Sequence, residues 1–266
     1  MKTYSLQERI EAANQEGRMA RIPFLTANFP NPEGFLQALR ELDENGADII
    51  EIGVPFSDPV ADGPVVEDAS RQVLEAGTTL SGLLYSLTNL HFRPHAALVL
   101  MGYYNPFLQF GLEKLADAAV AAGVQGFIVP DLPLEEDAPL RKVLSERGLD
   151  LIALVGPNTS FERMTEYAEK ATGYVYVVSV MGVTGTRNSL PPEAMDTVAR
   201  AKQAFRLPVA LGFGIQRPEQ LRDMPVRPDA VVFGSALLKA LSNGGTARDF
   251  MAPWLRMQPE QNSIER

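Results

Sequence analysis

Two carboxylates bracket the segment Glu51-Ile-Gly-Val-Pro-Phe-Ser-Asp-Pro-Val-Ala-Asp62, the first inside an apolar run and the second beyond a proline-rich loop. The run from Ala47 to Val54 reads as a strand covered on both faces. Side chains alternate along a strand, so Glu51 shares a face with Ile49 and Gly53, while Ile50, Ile52 and Val54 share the other. A carboxylate in that position is costly unless something uses it. From the residues alone two uses stay open: a structural one, in which Glu51 accepts from a neighbouring donor or pairs with a core arginine, and a catalytic one.

Three glycine-containing segments suggest a second kind of chemistry. Met181-Gly-Val-Thr-Gly-Thr186, Leu211-Gly-Phe-Gly-Ile215 and Val232-Phe-Gly-Ser-Ala236 each follow an apolar, β-rich run. Glycine lets backbone N–H groups approach an anion closely, Ser235 adds a hydroxyl, and a helix start after it adds a favourable dipole. Gly185, Gly212, Phe213, Gly214, Gly234 and Ser235 are thus expected to hold one phosphate without a Lys or Arg. No Walker-type lysine motif accompanies them, which disfavours phosphoryl transfer from a nucleotide.

Other chemistries are excluded by what the chain lacks. It has no Cys, so thiolate nucleophiles, disulfides and Cys-based metal sites are out, and no metal site is expected. Its two His, His91 and His95, flank Pro94 in a polar approach to a strand, where a solvated loop role fits better than catalysis. A formal net charge of −9 with dispersed Lys and Arg argues against nucleic acid and leaves small metabolites or proteins as partners. Neither a signal peptide nor a membrane-spanning run is visible, so a cytoplasmic location is the expectation.

The elements that must position these residues alternate. Apolar runs recur at 21–27, 47–54, 96–103, 126–130, 149–155, 174–180, 208–213 and 230–233, with helical stripes at 33–42, 111–122, 135–147, 160–171 and 192–205. Thr159-Ser-Phe-Glu162 has the form of a capping box at one helix start. Eight strands with intervening helices in 266 residues, at 45% hydrophobic and 21% charged, fit an α/β fold of one domain over residues 1–266, a closed (β/α)8 barrel. An extra N-terminal helix from about Ser5 to Glu16 is placed to plug the lower end, and the polar tail from about Gln258 is expected to fray. No dinucleotide fingerprint follows the first strand. In such barrels the active site lies at the C-terminal strand ends, where both the glycine loops and the carboxylate segment fall.

Six ordered blocks then carry a family resemblance: Glu51 to Pro64, Tyr103-Tyr-Asn-Pro106, Val129-Pro-Asp-Leu-Pro133, Gly182-Val-Thr-Gly185, Gly212-Phe-Gly214 and Gly234-Ser-Ala236 resemble the tryptophan synthase alpha chains over nearly the whole sequence. The resemblance implies cleavage of indole-3-glycerol phosphate to indole and glyceraldehyde 3-phosphate, with no cofactor in this chain. It makes Glu51 the acid/base and Asp62 the carboxylate that holds the indole N–H. Phe24, Met101, Ile128, Tyr176 and Val232 correspond to the apolar indole pocket, and Thr184 to a closing loop that positions Asp62. It also implies an α2β2 assembly with a beta chain that uses pyridoxal phosphate, met through surfaces containing Pro55, Asp58 and Asn105.

The match has departures. Thr26-Ala-Asn-Phe-Pro30 stands where the family has a Thr-Ala-Gly-Asp-Pro type sequence, so Asn28 and Phe29 are expected to alter a loop near the mouth. Glu67 replaces a common Gln, and Pro225 to Pro228 replaces a helix end; neither is expected to touch the chemistry. Rival readings are another phosphate-binding barrel enzyme, a lyase acting without a partner, and an inactive regulatory subunit. A Schiff-base aldolase would want a Lys near a strand end, which none of the runs supplies. Retention of both Glu51 and Asp62 argues against an idle subunit.

Overall fold

The computed structural model describes residues 4–178, 191–212, 214–221 and 224–256. Its strands are β1 (Ala20–Thr26), β2 (Ile49–Gly53), β3 (Ala97–Met101), β4 (Val124–Ile128), β5 (Asp150–Leu151), β6 (Ala153–Val155), β7 (Val175–Val178), β8 (Val209–Gly212) and β9 (Ala230–Phe233). All pair in parallel, in the order β5-β4-β3-β2-β1-β9-β8-β7-β6. Only Ile152 separates β5 from β6, so one extended segment pairs with β4 through its first half and with β7 through its second. The ring therefore closes as an eight-stave barrel, as the alternation of apolar runs and helical stripes predicts.

Around it lie α1 (Leu6–Gln15), α2 (Pro32–Glu44), α3 (Pro64–Glu75), α4 (Leu80–Thr88), α5 (Tyr104–Phe110), α6 (Leu112–Ala121), α7 (Ala138–Ser145), α8 (Phe161–Ala168), α9 (Pro192–Ala204), α10 (Ser235–Ser242) and α11 (Ala247–Leu255). Buried apolar side chains separate into two clusters. One lies between strands and helices and takes Ile50, Ile52 and Val54 from β2. The other fills the barrel and takes Ile49, with Ala97, Val99, Ile128 and Ile152 from its neighbours. This is the alternation expected of β2, and it puts Glu51 inside. Leu6, Ile10 and Ala13 of α1 join the inner cluster, so the first helix plugs one end.

Some local expectations need correcting. The helix near Thr159 starts one residue later: Ser160 is the cap, its hydroxyl accepting from the Arg163 N–H at 3.1 Å. The Thr159 hydroxyl instead accepts from the Gly156 N–H at 3.0 Å, inside the preceding turn. A complete capping box occurs at Ser5 and Glu8, at the start of the plug. In the departing segment after β1, Asn28 adopts a left-handed φ of 61°, which Asn tolerates better than most side chains. Its amide donates to the Thr78 hydroxyl at 3.1 Å, and Phe29 is buried in the outer core. In this chain Phe29 fills core space and Asn28 ties the loop to the turn between α3 and α4.

At the plugged end Arg18 grips Asp48 with two hydrogen bonds, 2.7 and 2.9 Å, while the same carboxylate accepts from the Arg21 N–H at 2.8 Å. The Asp48 side chain is 14% exposed, so removing it leaves a poorly solvated guanidinium with only the exposed Glu16 carboxylate, 2.8 Å from its Nε, as a partner. Asp48→Ala should lower unfolding free energy by about 3 kcal/mol in urea titrations; an unchanged midpoint would show that the pair is dispensable.

Candidate active site

Glu51 is fully buried, and the cause of its setting is local: β2 is too apolar to face water on either side. Inside the barrel its Oε1 accepts from the Tyr174 hydroxyl at 2.7 Å, and its Oε2 has no partner among the described residues. Loss of water around the carboxylate pushes its pKa up to about 8, against which the Tyr174 hydrogen bond acts weakly. The structural use left open by the residues is therefore real, since a donor does hold Glu51. It is also incomplete, because a single neutral hydroxyl does not keep the group ionised at neutral pH.

Asp62 stands at the end of the loop after β2, just ahead of α3, whose first turn is set by Gly63 and Pro64. It is half-buried, and desolvation pushes it up to about 6. A hydrogen bond from the Tyr103 hydroxyl opposes this shift, and the charge of Glu67 adds to it. Glu67 thus does act on Asp62, contrary to expectation, because one turn of α3 brings its charge back towards the loop end. The Tyr103 hydroxyl also accepts from the Ala61 N–H at 2.9 Å, which holds the loop end in place.

A cavity of about 280 Å³ opens at the C-terminal strand ends. Phe24, Asp62, Met101, Tyr176, Gly214, Val232, Gly234 and Ser235 line it, so most of the expected apolar pocket and part of the glycine cradle do converge. Glu51 and Ile128 do not line it; both are drawn into the barrel interior below. Gly212 does not line it either. A Cβ there would lie 2.1 Å from the Tyr176 hydroxyl oxygen, so the glycine makes room for that ring. Gly53 does the same for Phe24, whose ring would meet a Cβ at 2.4 Å. Thr184, Gly185 and Phe213 lie outside the described residues. Of the expected interface residues Asp58 and Asn105 are exposed, whereas Pro55 is buried within the chain.

The sequence reading missed four residues. Tyr174 precedes β7 and carried no signal apart from being a tyrosine next to a strand. Tyr103 was quoted only as part of a block. Arg217 and Lys239 line the cavity beside the glycines, so the segments expected to hold a phosphate without a Lys or Arg have both nearby.

Burial of Glu51 has a thermodynamic signature. The unfolded chain releases this proton near 4.5 and the folded chain holds it to about 8, so the folded state binds more protons between these values and stability falls as pH rises across that window. Glu51→Gln stays neutral and removes the loss. The difference in Tm between variant and native chain should shift in the variant's favour from about pH 5 to about pH 8. A difference independent of pH would mean that Glu51 ionises normally.

The family model for "Tryptophan synthase alpha chain" matches residues 10–261. The chain is 61% identical over 251 residues to the tryptophan synthase alpha chain of Desulfovibrio desulfuricans, covering 94% of this chain and 98% of that one. To the alpha chain of Nitratidesulfovibrio vulgaris it is 59% identical over 254 residues, covering 96% and 99%. Among solved structures, a chain of tryptophan synthase from Mycobacterium tuberculosis superposes with a TM-score of 0.86 at 32% identity, covering 95% of this chain and 96% of that one. Sequence and barrel agree along almost the whole length, and the chain belongs to the tryptophan synthase alpha chain family.

Proposed function

We propose that Glu51 and Asp62 share the work of cleaving indole-3-glycerol phosphate, Glu51 by moving protons and Asp62 by holding charge. The protein is a carbon–carbon lyase of tryptophan biosynthesis that releases indole and glyceraldehyde 3-phosphate, needs no cofactor in this chain and pairs with a beta chain. Pyridoxal phosphate belongs to that beta chain, which receives the indole. The observation that carries the residue assignment is the pair of displaced carboxyl groups, one at about 8 and the other at about 6. At neutral pH the first is protonated and the second ionised, which suits one to deliver a proton and the other to hold positive charge.

The reaction is a retro-aldol cleavage. A proton delivered to indole C3 makes the ring electron-poor, with positive charge shared by its nitrogen. The adjacent hydroxyl of the glycerol chain then loses a proton, its carbon becomes an aldehyde, and the electrons of the breaking carbon–carbon bond return to the ring. One proton is given and one taken, so a single carboxyl group returns to its starting state. Protonated Glu51 suits the first transfer and its carboxylate the second. Asp62, on the cavity wall, suits the indole N–H and the charge that develops there.

To act on a substrate in the cavity, Glu51 must leave the Tyr174 hydroxyl and turn towards the strand ends. Phe24, Met101, Tyr176 and Val232 supply the apolar wall, with Ile128 as the layer beneath. Gly214, Gly234 and Ser235 suit the phosphate, and we assign Gly185, Gly212 and Phe213 to the same cradle on the resemblance. By the same resemblance Thr184 steadies Asp62, and Pro55, Asp58 and Asn105 belong to the beta-chain side of an α2β2 assembly. Among the described residues no helix is long and apolar enough to cross a membrane; the cytoplasm is the compartment we propose.

Supplying indole-3-glycerol phosphate with a beta chain present and following indole release tests the reading. Glu51→Gln should lose about 10³-fold or more in turnover with substrate binding retained, and Asp62→Asn about 10²-fold. Near-native turnover of the first variant would sink the assignment. The kcat/KM profile of the native enzyme should rise through about 6, where Asp62 ionises, and fall through about 8, where Glu51 does. Glu67→Gln removes the charge that adds to the desolvation of Asp62 and should move only the acidic limb, to lower pH; a shift in the alkaline limb instead would contradict the division of roles.

A further inference from the structure

A dianionic substrate must approach a chain whose formal charge is −9. Averaged over the molecule that charge repels it, so capture depends on the local field at the mouth. Two cationic side chains stand on the cavity wall there, Arg217 and Lys239, and both are exposed. Among the described residues neither has a carboxylate within ion-pairing distance, unlike Arg141, Arg147, Arg163 and Arg200, each of which is paired.

Their placement follows from the two glycine segments they accompany. Arg217 lies three residues after Gly214, in a turn held by one side chain: the Gln220 carbonyl oxygen accepts from the Gln216 N–H at 2.7 Å and from the Arg217 N–H at 3.0 Å, and its amide donates to the Gly214 carbonyl at 3.3 Å. The backbone from which Arg217 projects is therefore fixed relative to Gly214. Lys239 lies four residues after Ser235 on α10, so the two share a helix face. Long helical side chains lean back towards the N-terminal turn, which carries the ammonium towards Gly234 and Ser235. The neighbours Leu237, Leu238 and Leu241 are buried, leaving Lys239 on the open side.

We propose that Arg217 and Lys239 are specificity-determining residues that capture and select a substrate by its phosphate dianion, adding charge to a cradle whose close contacts come from backbone N–H groups. This rests on the proposed cleavage reaction, and it assigns the pair to binding and not to the bond-breaking step. Exposed cations on a flexible stem act mainly through encounter and through KM, and salt screens them.

Arg217→Gln, Lys239→Gln and the double variant, each assayed with the beta chain, provide the test. The double variant should raise KM for indole-3-glycerol phosphate about tenfold with kcat within about twofold of native, and should flatten the dependence of kcat/KM on salt between about 20 and 200 mM. Glycerol 3-phosphate titrated calorimetrically into the same proteins should bind the double variant about tenfold more weakly, while indole binds all of them alike. Unchanged KM and salt slope, or a fall in kcat matching the rise in KM, would overturn the proposal. Should the native protein release no indole, the cleavage reading fails; the glycerol 3-phosphate titration still decides whether this pair captures a phosphate.

Discussion

Everything at the candidate site depends on one buried carboxyl group. Glu51 sits among Ile49, Val99, Ile128 and Ile152 inside the barrel, with the Tyr174 hydroxyl as its hydrogen-bond donor among the described residues. An ionised carboxylate is strongly penalised there, and that penalty pushes the Glu51 pKa up to about 8. Closing the ring through the β5–β6 segment and plugging it with Leu6 and Ile10 of α1 keeps the surroundings apolar. The closed barrel is thus what raises the Glu51 carboxyl group, and an open sheet with a wet face would leave it in its ordinary range.

The second carboxylate owes its character to a different kind of structure. Asp62 is carried on a loop, half-open to solvent, and is tuned by a hydroxyl on one side and by Glu67 on the other. A strand-borne carboxyl group and a loop-borne carboxylate suit the two proposed roles in different ways, since the first needs a dry site and the second must admit an indole ring beside it. Gly53 and Gly212 connect the two regions, because each leaves the space in which an aromatic ring, Phe24 or Tyr176, turns into the cavity. A methyl group at either position would push that ring out of the pocket.

Much of this was legible in the sequence because it is written in short-range pattern. The alternation around Glu51 separates it and Ile49 from Ile50, Ile52 and Val54, the division that the two core clusters follow, and eight apolar runs mark the ring. Strand ends were less certain: Gln125 and Gly126 break the apolar run at the start of β4, which begins at Val124. Helix α3 is marked in the sequence only by Gly63, Pro64 and the spacing of the buried Ala69 and Val73, a short stripe that polar residues interrupt. The cap at Ser160 was misplaced by one residue because Thr159 and Ser160 both offer a hydroxyl, and only the turn at Gly156 decides between them. Tyr174 and Lys239 were illegible for a stronger reason. Their partners lie far away in sequence or belong to the cavity as a whole, and no local pattern marks them.

The central claim is that burial holds Glu51 protonated at neutral pH, and its most direct test is the titration of that carboxyl carbon by NMR in protein labelled with carbon-13 at glutamate side chains, with Glu51→Gln identifying the signal. The account predicts a midpoint near 8, well separated from the surface glutamates. A midpoint at the ordinary value of 4.5 would contradict it.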